Sequence, residues 1–150
     1  GDGETQTECK ALAHRLSIED KVIFKGLISH NEVADELNKA DIYVHPSYTL
    51  DSGKAETFGV AILEAIATGL PAIISNSGGM SEVLTVPNEK YAKVVDQQSA
   101  TALADAVEAF IVESEDFDEH DFCNFRKNIL DSCNQQKVVA AVLATYGKLT

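Results

Sequence analysis

The sequence is poor in basic residues: 12 lysines and arginines stand against 24 aspartates and glutamates, a net charge of −12. So acidic a chain repels phosphates, which argues against DNA, RNA and anionic lipid as partners of this segment. No apolar run approaches the roughly 20 residues that a membrane-spanning helix needs. No signal peptide opens the chain, so a cytoplasmic location is expected, with the inner face of the membrane open to a full-length protein. The three cysteines, Cys9, Cys123 and Cys133, are odd in number and fit neither zinc nor CxxC spacing. They read as free, mostly buried thiols of a reducing compartment. Internal repeats and low-complexity tracts are also missing.

What is present suits about one domain: 150 residues, 45% apolar, mean hydropathy −0.07. Much of the acidic excess is local. "ESEDFDEHD" gathers Glu113, Glu115, Asp116, Asp118, Glu119 and Asp121, and reads as a solvated connector. It lacks the glycine that a calcium loop requires at its sixth position.

Helix-period and strand-like segments alternate. Cys9, Leu12, Ala13 and Leu16 form a helical stripe, and "KVIFKG" follows as a short strand ended by Gly26. "SHNE", Ser29 to Glu32, has the form of a capping box, and Val33, Leu37 and Ala40 continue that helix's stripe. "DIYVHPS" is strand-like and stops at Pro46, a helix spans about 59–69, and "PAIIS" is another short strand. "NSGGMSEVL" predicts a turn and a short helix closed by Pro87, and "YAKVV" the last strand. Beyond 98 the pattern is helical. One stripe is Ala100, Leu103, Val107, Phe110 and Ile111, a second Phe122, Phe125 and Ile129, a third Val138, Val142 and Tyr146. Strands that are apolar on both faces are covered by helices on both sides, which predicts an α/β fold with a parallel sheet. Its ligand loops, after the strands, would be Gly26–Ser29, Ser47–Phe58, Ser75–Ser81 and Asp96–Ser99.

The segment "KAETFGVAILEAIATGLPAII" places Glu56 just before a helix start and Glu64 two turns later. The first amides of a helix have no intrahelical partner, so those of Phe58, Gly59 and Val60 make an anion site suited to a diphosphate. Gly59 would let the anion approach the backbone. Ionised carboxylates only accept hydrogen bonds, so Glu56 and Glu64 suit the hydroxyls of two polyols on either side of it. Together these outline a nucleotide sugar. Without a ligand, Glu56 would simply stabilise the helix start, and Glu64 would be an exposed helix glutamate.

The same residues resemble the signature of the family 4 glycosyltransferases, in the C-terminal half of their two-domain GT-B fold. Glu56 and Glu64 stand with seven residues between them, and Phe58-Gly59 lies inside. Glu64-Ala65, Gly69-Leu70-Pro71, Gly78-Gly79 and Glu82-Val83 follow in the family's order. "GDG", "KVIFKGLIS", "ADIYVHPS" and the final "TYGKL" match further segments.

The resemblance implies a Rossmann-like, N-terminally truncated half of a GT-B enzyme. Residues 1–150 would be its nucleotide-sugar-binding domain, with a helical tail from about 121 to 150. Glu56 would be catalytic, stabilising charge at the anomeric carbon of the transferred sugar. Glu64 would bind the ribose, and the amides of Phe58, Gly59 and Val60 the diphosphate or sugar. Gly26 and Leu27 would lie near the base. Gly78-Gly79 would shape a turn, and His45 would be structural. The implied reaction is transfer with retention, without a metal or other cofactor, from a nucleotide-diphosphate sugar to a polysaccharide or glycolipid. The glycan or lipid-linked acceptor would bind through the missing N-terminal domain.

Three departures stand out. The family's diphosphate-binding Arg and Lys would precede "GDG", so the isolated segment is expected to be inactive. The loop "YTLDSGKA" is longer than the commonest form, and Lys54 in it reads as a surface lysine. The acidic charge is a poor field for a diphosphate. Without its neighbour, Val22–Phe24 would be an exposed apolar edge, which predicts self-association, swapping or a disordered N-terminal region. The alternative function is a nucleotide-sugar-binding α/β module without catalysis.

Overall fold

A computed structural model describes residues 2–84, 90–113, 116–134, 136 and 144. Pro87, Glu115 and the expected stripe Val138, Val142, Tyr146, with "TYGKL", lie outside them. In the expected tail from 121, helix runs to Ser132. The chain divides into two units, Gly1–Glu36 and Leu37–Thr150.

The first unit holds helix α1, Gln6–Arg15, and nearly all of α2, His30–Leu37. The capping box forms as the sequence predicts. The Ser29 amide donates to Glu32 Oε2 at 2.8 Å, and the Glu32 amide to Ser29 Oγ at 3.4 Å. The Ser29 hydroxyl, donating to the same Oε2 at 2.6 Å, and then the Ser29 amide hold the Glu32 carboxyl below its usual range. Two expectations fail here. Of the α1 stripe only Ala13 is buried, and Cys9 is exposed, as is Cys123 further on, so the thiols are free but not mostly buried. The residues of "KVIFKG" are not a strand. A strand exists by its ladder, and among the described residues none pairs with this segment. Of Val22–Phe24, Ile23 is 78% and Phe24 37% accessible, while Val22 is half-buried.

The second unit is a three-layer α/β arrangement around a parallel sheet. Strands β1 (Tyr43–His45), β2 (Ala72–Ser75) and β3 (Ala92–Val95) lie in the order β1-β2-β3. The register sets Val44 opposite Ile73 and Ile73 opposite Lys93. Helix α3 (Val60–Thr68), the short α4 (Met80–Val83), α5 (Ala100–Glu113) and α6 (Glu119–Ser132) complete it. Side chains alternate along a strand, so β2 serves two cores. Ala72 and Ile74 pack with Ile62, Ile66, Met80, Val83, Phe122, Phe125 and Ile129, while Ile73 packs with Ala106 and Phe110. All four β2 residues are buried, as a strand covered on both faces requires.

Helix α3 is bounded by glycines in the left-handed region, Gly59 at φ 71° and Gly69 at φ 98°. Its buried residues are Ile62, Ala65 and Ile66, whereas Phe58, expected on that face, precedes the helix and is half exposed. In α5 the inward residues are Leu103, Ala106, Val107 and Phe110, whereas Ile111 and Ala100, at the two edges of that stripe, are exposed. The acidic "connector" is partly helix ends. Asp118 caps α6, its Oδ1 accepting from the His120 and Asp121 amides at 2.9 and 3.0 Å, which holds its carboxyl below the usual range.

Candidate active site

Three loops follow the carboxyl ends of β1, β2 and β3, the rim where open parallel sheets bind ligands. The longest, between β1 and α3, carries Glu56, Phe58 and Gly59. It is fastened at both ends. Near its start, the Thr49 amide donates to Gln97 Oε1 at 2.8 Å, and the Thr49 and Ser77 hydroxyls share a bond at 3.1 Å. Near its end, the Gly79 amide donates to the Glu56 carbonyl at 3.3 Å. In between, the chain closes on itself through Leu50 N–H to Lys54 O at 2.9 Å and Gly53 N–H to Leu50 O at 2.8 Å.

Glu56 sits at the start of α3, where its Oε1 accepts from the Gly59 amide at 3.3 Å. A carboxylate therefore occupies one of the amides that the sequence assigns to a diphosphate. Gly59 has a different reason from the expected one. A Cβ there would come within 2.5 Å of Ile62 Cδ1 and 3.6 Å of Met80 Cγ, and φ is positive. Its missing side chain lets the turn fold against the core rather than clearing a path for an anion.

Glu64 is half-buried on α3. Tyr43, half-buried on β1, reports on both carboxylates. Burial pushes its hydroxyl above the ordinary 10.0, and the charges of Glu64 and Glu56 push it the same way. The charges of both carboxylates thus act on one phenol. The Tyr43 hydroxyl shares a 2.8 Å hydrogen bond with His45 Nδ1. Tyr43 is thus bonded to His45, while Glu56 stands at the start of α3 and Glu64 on the helix itself. Since Tyr43's folded value lies above its unfolded one, stability is full below about pH 10 and falls as pH rises through the folded value. Glu64→Gln is expected to lower the tyrosinate midpoint of Tyr43, read by ultraviolet titration against Tyr43→Phe.

Two cavities open on the rim. One, of about 400 Å³, is lined by Pro46, Tyr48, Leu50, Lys54 and Glu56 among others. The second, of about 280 Å³, shares Pro46 and Tyr48 and adds Ser75, Asp96 and Ser99. Lys54, although exposed, thus borders the same cavity as Glu56. A cavity of about 450 Å³ includes Lys90, Lys93, Glu113 and Asp116. It lies at the opposite, amino end of β3, and its Lys93 ammonium is already paired with Glu113 at 2.8 Å.

Of the other expected site residues, Val60 is the first residue of α3 and exposed. Gly26, at φ 66°, and the exposed Leu27 belong to the first unit. Sequence reasoning missed Tyr43, although alternation from His45 places the two on one face. It also missed Thr49, Ser77 and Gln97, which pair over 28 and 48 residues with no local signal. Among the described residues no cluster of His, Cys, Asp and Glu is placed to hold a metal ion, and no helix is long and apolar enough to cross a membrane.

A family model described as "Glycosyl transferases group 1" matches residues 1–122. A GDP-mannose-dependent alpha-(1-6)-phosphatidylinositol monomannoside mannosyltransferase of Mycobacterium tuberculosis (strain ATCC 25618 / H37Rv) is 35% identical over 114 residues, 75% of this chain and 29% of that protein. The phosphatidylinositol N-acetylglucosaminyltransferase gpi3 subunit of Schizosaccharomyces pombe is 28% identical over 122 residues, 79% of this chain and 25% of that one. The chain therefore spans less than a third of these relatives. Among solved structures, a sucrose-phosphate synthase from Thermosynechococcus elongatus aligns over 99% of this chain and 37% of its own, with TM-score 0.72 and 25% identity. A pneumococcal O-GlcNAc transferase, GtfA, in complex with UDP and GlcNAc, aligns over 95% of this chain and 28% of its own, with TM-score 0.58 and 18% identity; this last likeness concerns the fold.

Proposed function

The chain belongs to the group 1 glycosyl transferases, and from that premise we propose that it is the donor-binding part of a retaining family 4 enzyme. The enzyme moves a sugar from a nucleotide-diphosphate sugar to a polysaccharide or glycolipid acceptor. The observation that carries this reading is that Glu56 borders a cavity on the strand-end rim and accepts from the Gly59 amide at the start of α3, the helix on which Glu64 stands. One carboxylate then serves the transferred sugar and the other the ribose, with the Phe58, Gly59 and Val60 amides between them for the diphosphate. Because Glu56 already holds the Gly59 amide, the donor's anionic group exchanges with that carboxylate or shares its amide. The exchange frees the Glu56 carboxylate to face the anomeric carbon, where positive charge develops. No resident metal or other cofactor is assigned. The acceptor binds through further residues of a longer protein.

A panel of nucleotide sugars, tested with the full-length protein and a lipid-extract or oligosaccharide acceptor, decides the matter. The expected result is consumption of one donor, with nucleoside diphosphate released and the product anomer matching the donor's by NMR. Inverted configuration removes the retaining assignment. Donor binding without transfer to any acceptor favours the non-catalytic module.

A further inference from the structure

The Gly78-Gly79 doublet has a geometric explanation that the fold alone does not demand. Gly79 has φ −91° and ψ 7°, a conformation open to residues with side chains. Its lack of a side chain answers to a neighbour: a Cβ there would stand 2.4 Å from the Thr57 carbonyl oxygen. At Gly78, where φ is 57°, a Cβ would overlap the Glu56 carbonyl oxygen and come within 3.1 Å of Ala55 Cβ. The two glycines thus form a bare surface on which the backbone of residues 55–57 rests. The Gly79 amide closes the contact by donating to the Glu56 carbonyl at 3.3 Å.

Glu56 is consequently held twice. Its carbonyl is tied to the cap of α4, and its carboxylate to the Gly59 amide at the cap of α3. The buried Met80, directly after Gly79, lies beside Gly59, so the two caps are packed side by side.

Resting on the function proposed above, we propose that Gly79, supported by Gly78, is a positioning residue for Glu56. The loop after β2 sets where the Glu56 carboxylate stands and touches no substrate itself. An alanine at 79 adds one methyl at no backbone cost and pushes the Thr57 carbonyl, and with it the loop that carries Glu56, away by roughly 1 Å, a displacement large enough to cost about 100-fold in rate.

The test uses the full-length protein labelled with ¹⁵N-glycine. In the native sequence, Glu56→Gln should move the Gly59 amide resonance, because it removes the charge that this amide binds. In a Gly79→Ala background the same change should leave that resonance in place. Kinetically, Gly79→Ala should lower kcat about 100-fold with KM within a few-fold, and the Gly79→Ala/Glu56→Gln pair should be no slower than Glu56→Gln alone. Gly69→Ala is the control for destabilisation, since Gly69 has φ 98°, open space around it and lies at the far end of α3. It should lower Tm without this kinetic pattern. If Gly79→Ala does not fold, hydrogen exchange on the unsubstituted protein replaces it: a slowly exchanging Gly79 amide supports the contact and a freely exchanging one overturns it. A Gly59 resonance that answers Glu56→Gln equally in both backgrounds overturns the proposal, as does a Gly79→Ala rate loss that multiplies in full onto Glu56→Gln. Should no donor be turned over, the proposed function fails, while the Gly59 resonance still judges the positioning.

Discussion

Glu56→Gln is expected to lower sugar transfer by about a thousandfold, while the protein stays folded and nucleoside diphosphate affinity changes only a few-fold. The amide keeps the size and the hydrogen-bond acceptor of the carboxylate. It removes the negative charge, which is what a developing positive charge at the anomeric carbon requires. Glu64→Gln makes the contrast. If Glu64 holds a ribose, its loss raises KM and weakens nucleotide binding more than it lowers kcat. Steady-state kinetics with calorimetry on both variants separates the roles. Equal, small losses in the two would remove Glu56 from the chemistry.

Tyr91→Ala is expected to destabilise the protein by about 4 kcal/mol, read as a lowered urea midpoint. Tyr91 is fully buried immediately before β3 and packs against Phe117, Phe122 and Phe125, with ring centroids 5.3, 5.1 and 5.7 Å away. Its hydroxyl donates to the Asp118 carbonyl at 3.0 Å, at the residue that caps α6. Truncation therefore opens a cavity and loosens the α6 start together. Tyr91→Phe keeps the rings and loses only the hydrogen bond, about 1 kcal/mol. A domain of this size has about 5–15 kcal/mol in all, so the alanine variant should stand near the edge of folding.

The order of elements from β1 onward is legible in the sequence because each signal is local. Glycines at 59 and 69 bound α3, Pro46 follows β1, and a continuous apolar run marks the doubly covered β2. The capping box at Ser29 is legible for the same reason, since its partners are three residues apart. "KVIFKG" has the composition of a strand, but pairing depends on a neighbour and composition cannot supply one. In the site, the spacing of Glu56 and Glu64 marks a segment whose first carboxylate borders a rim cavity. What spacing hides is that Gly59 is required by Ile62, and that Glu56 is steadied from a loop 23 residues later at Gly79. Such contacts arise when distant rim loops meet, and no periodicity encodes them.

The turn from Leu50 to Lys54 is hydrogen-bonded to itself, and Thr49 fastens its base to two neighbouring loops. Residues at its tip can therefore be exchanged, lengthened or recharged with little effect on the sheet. That independence makes the tip a practical graft point beside the cavity that Leu50, Lys54 and Glu56 line, and a place where natural variants can diverge without unfolding.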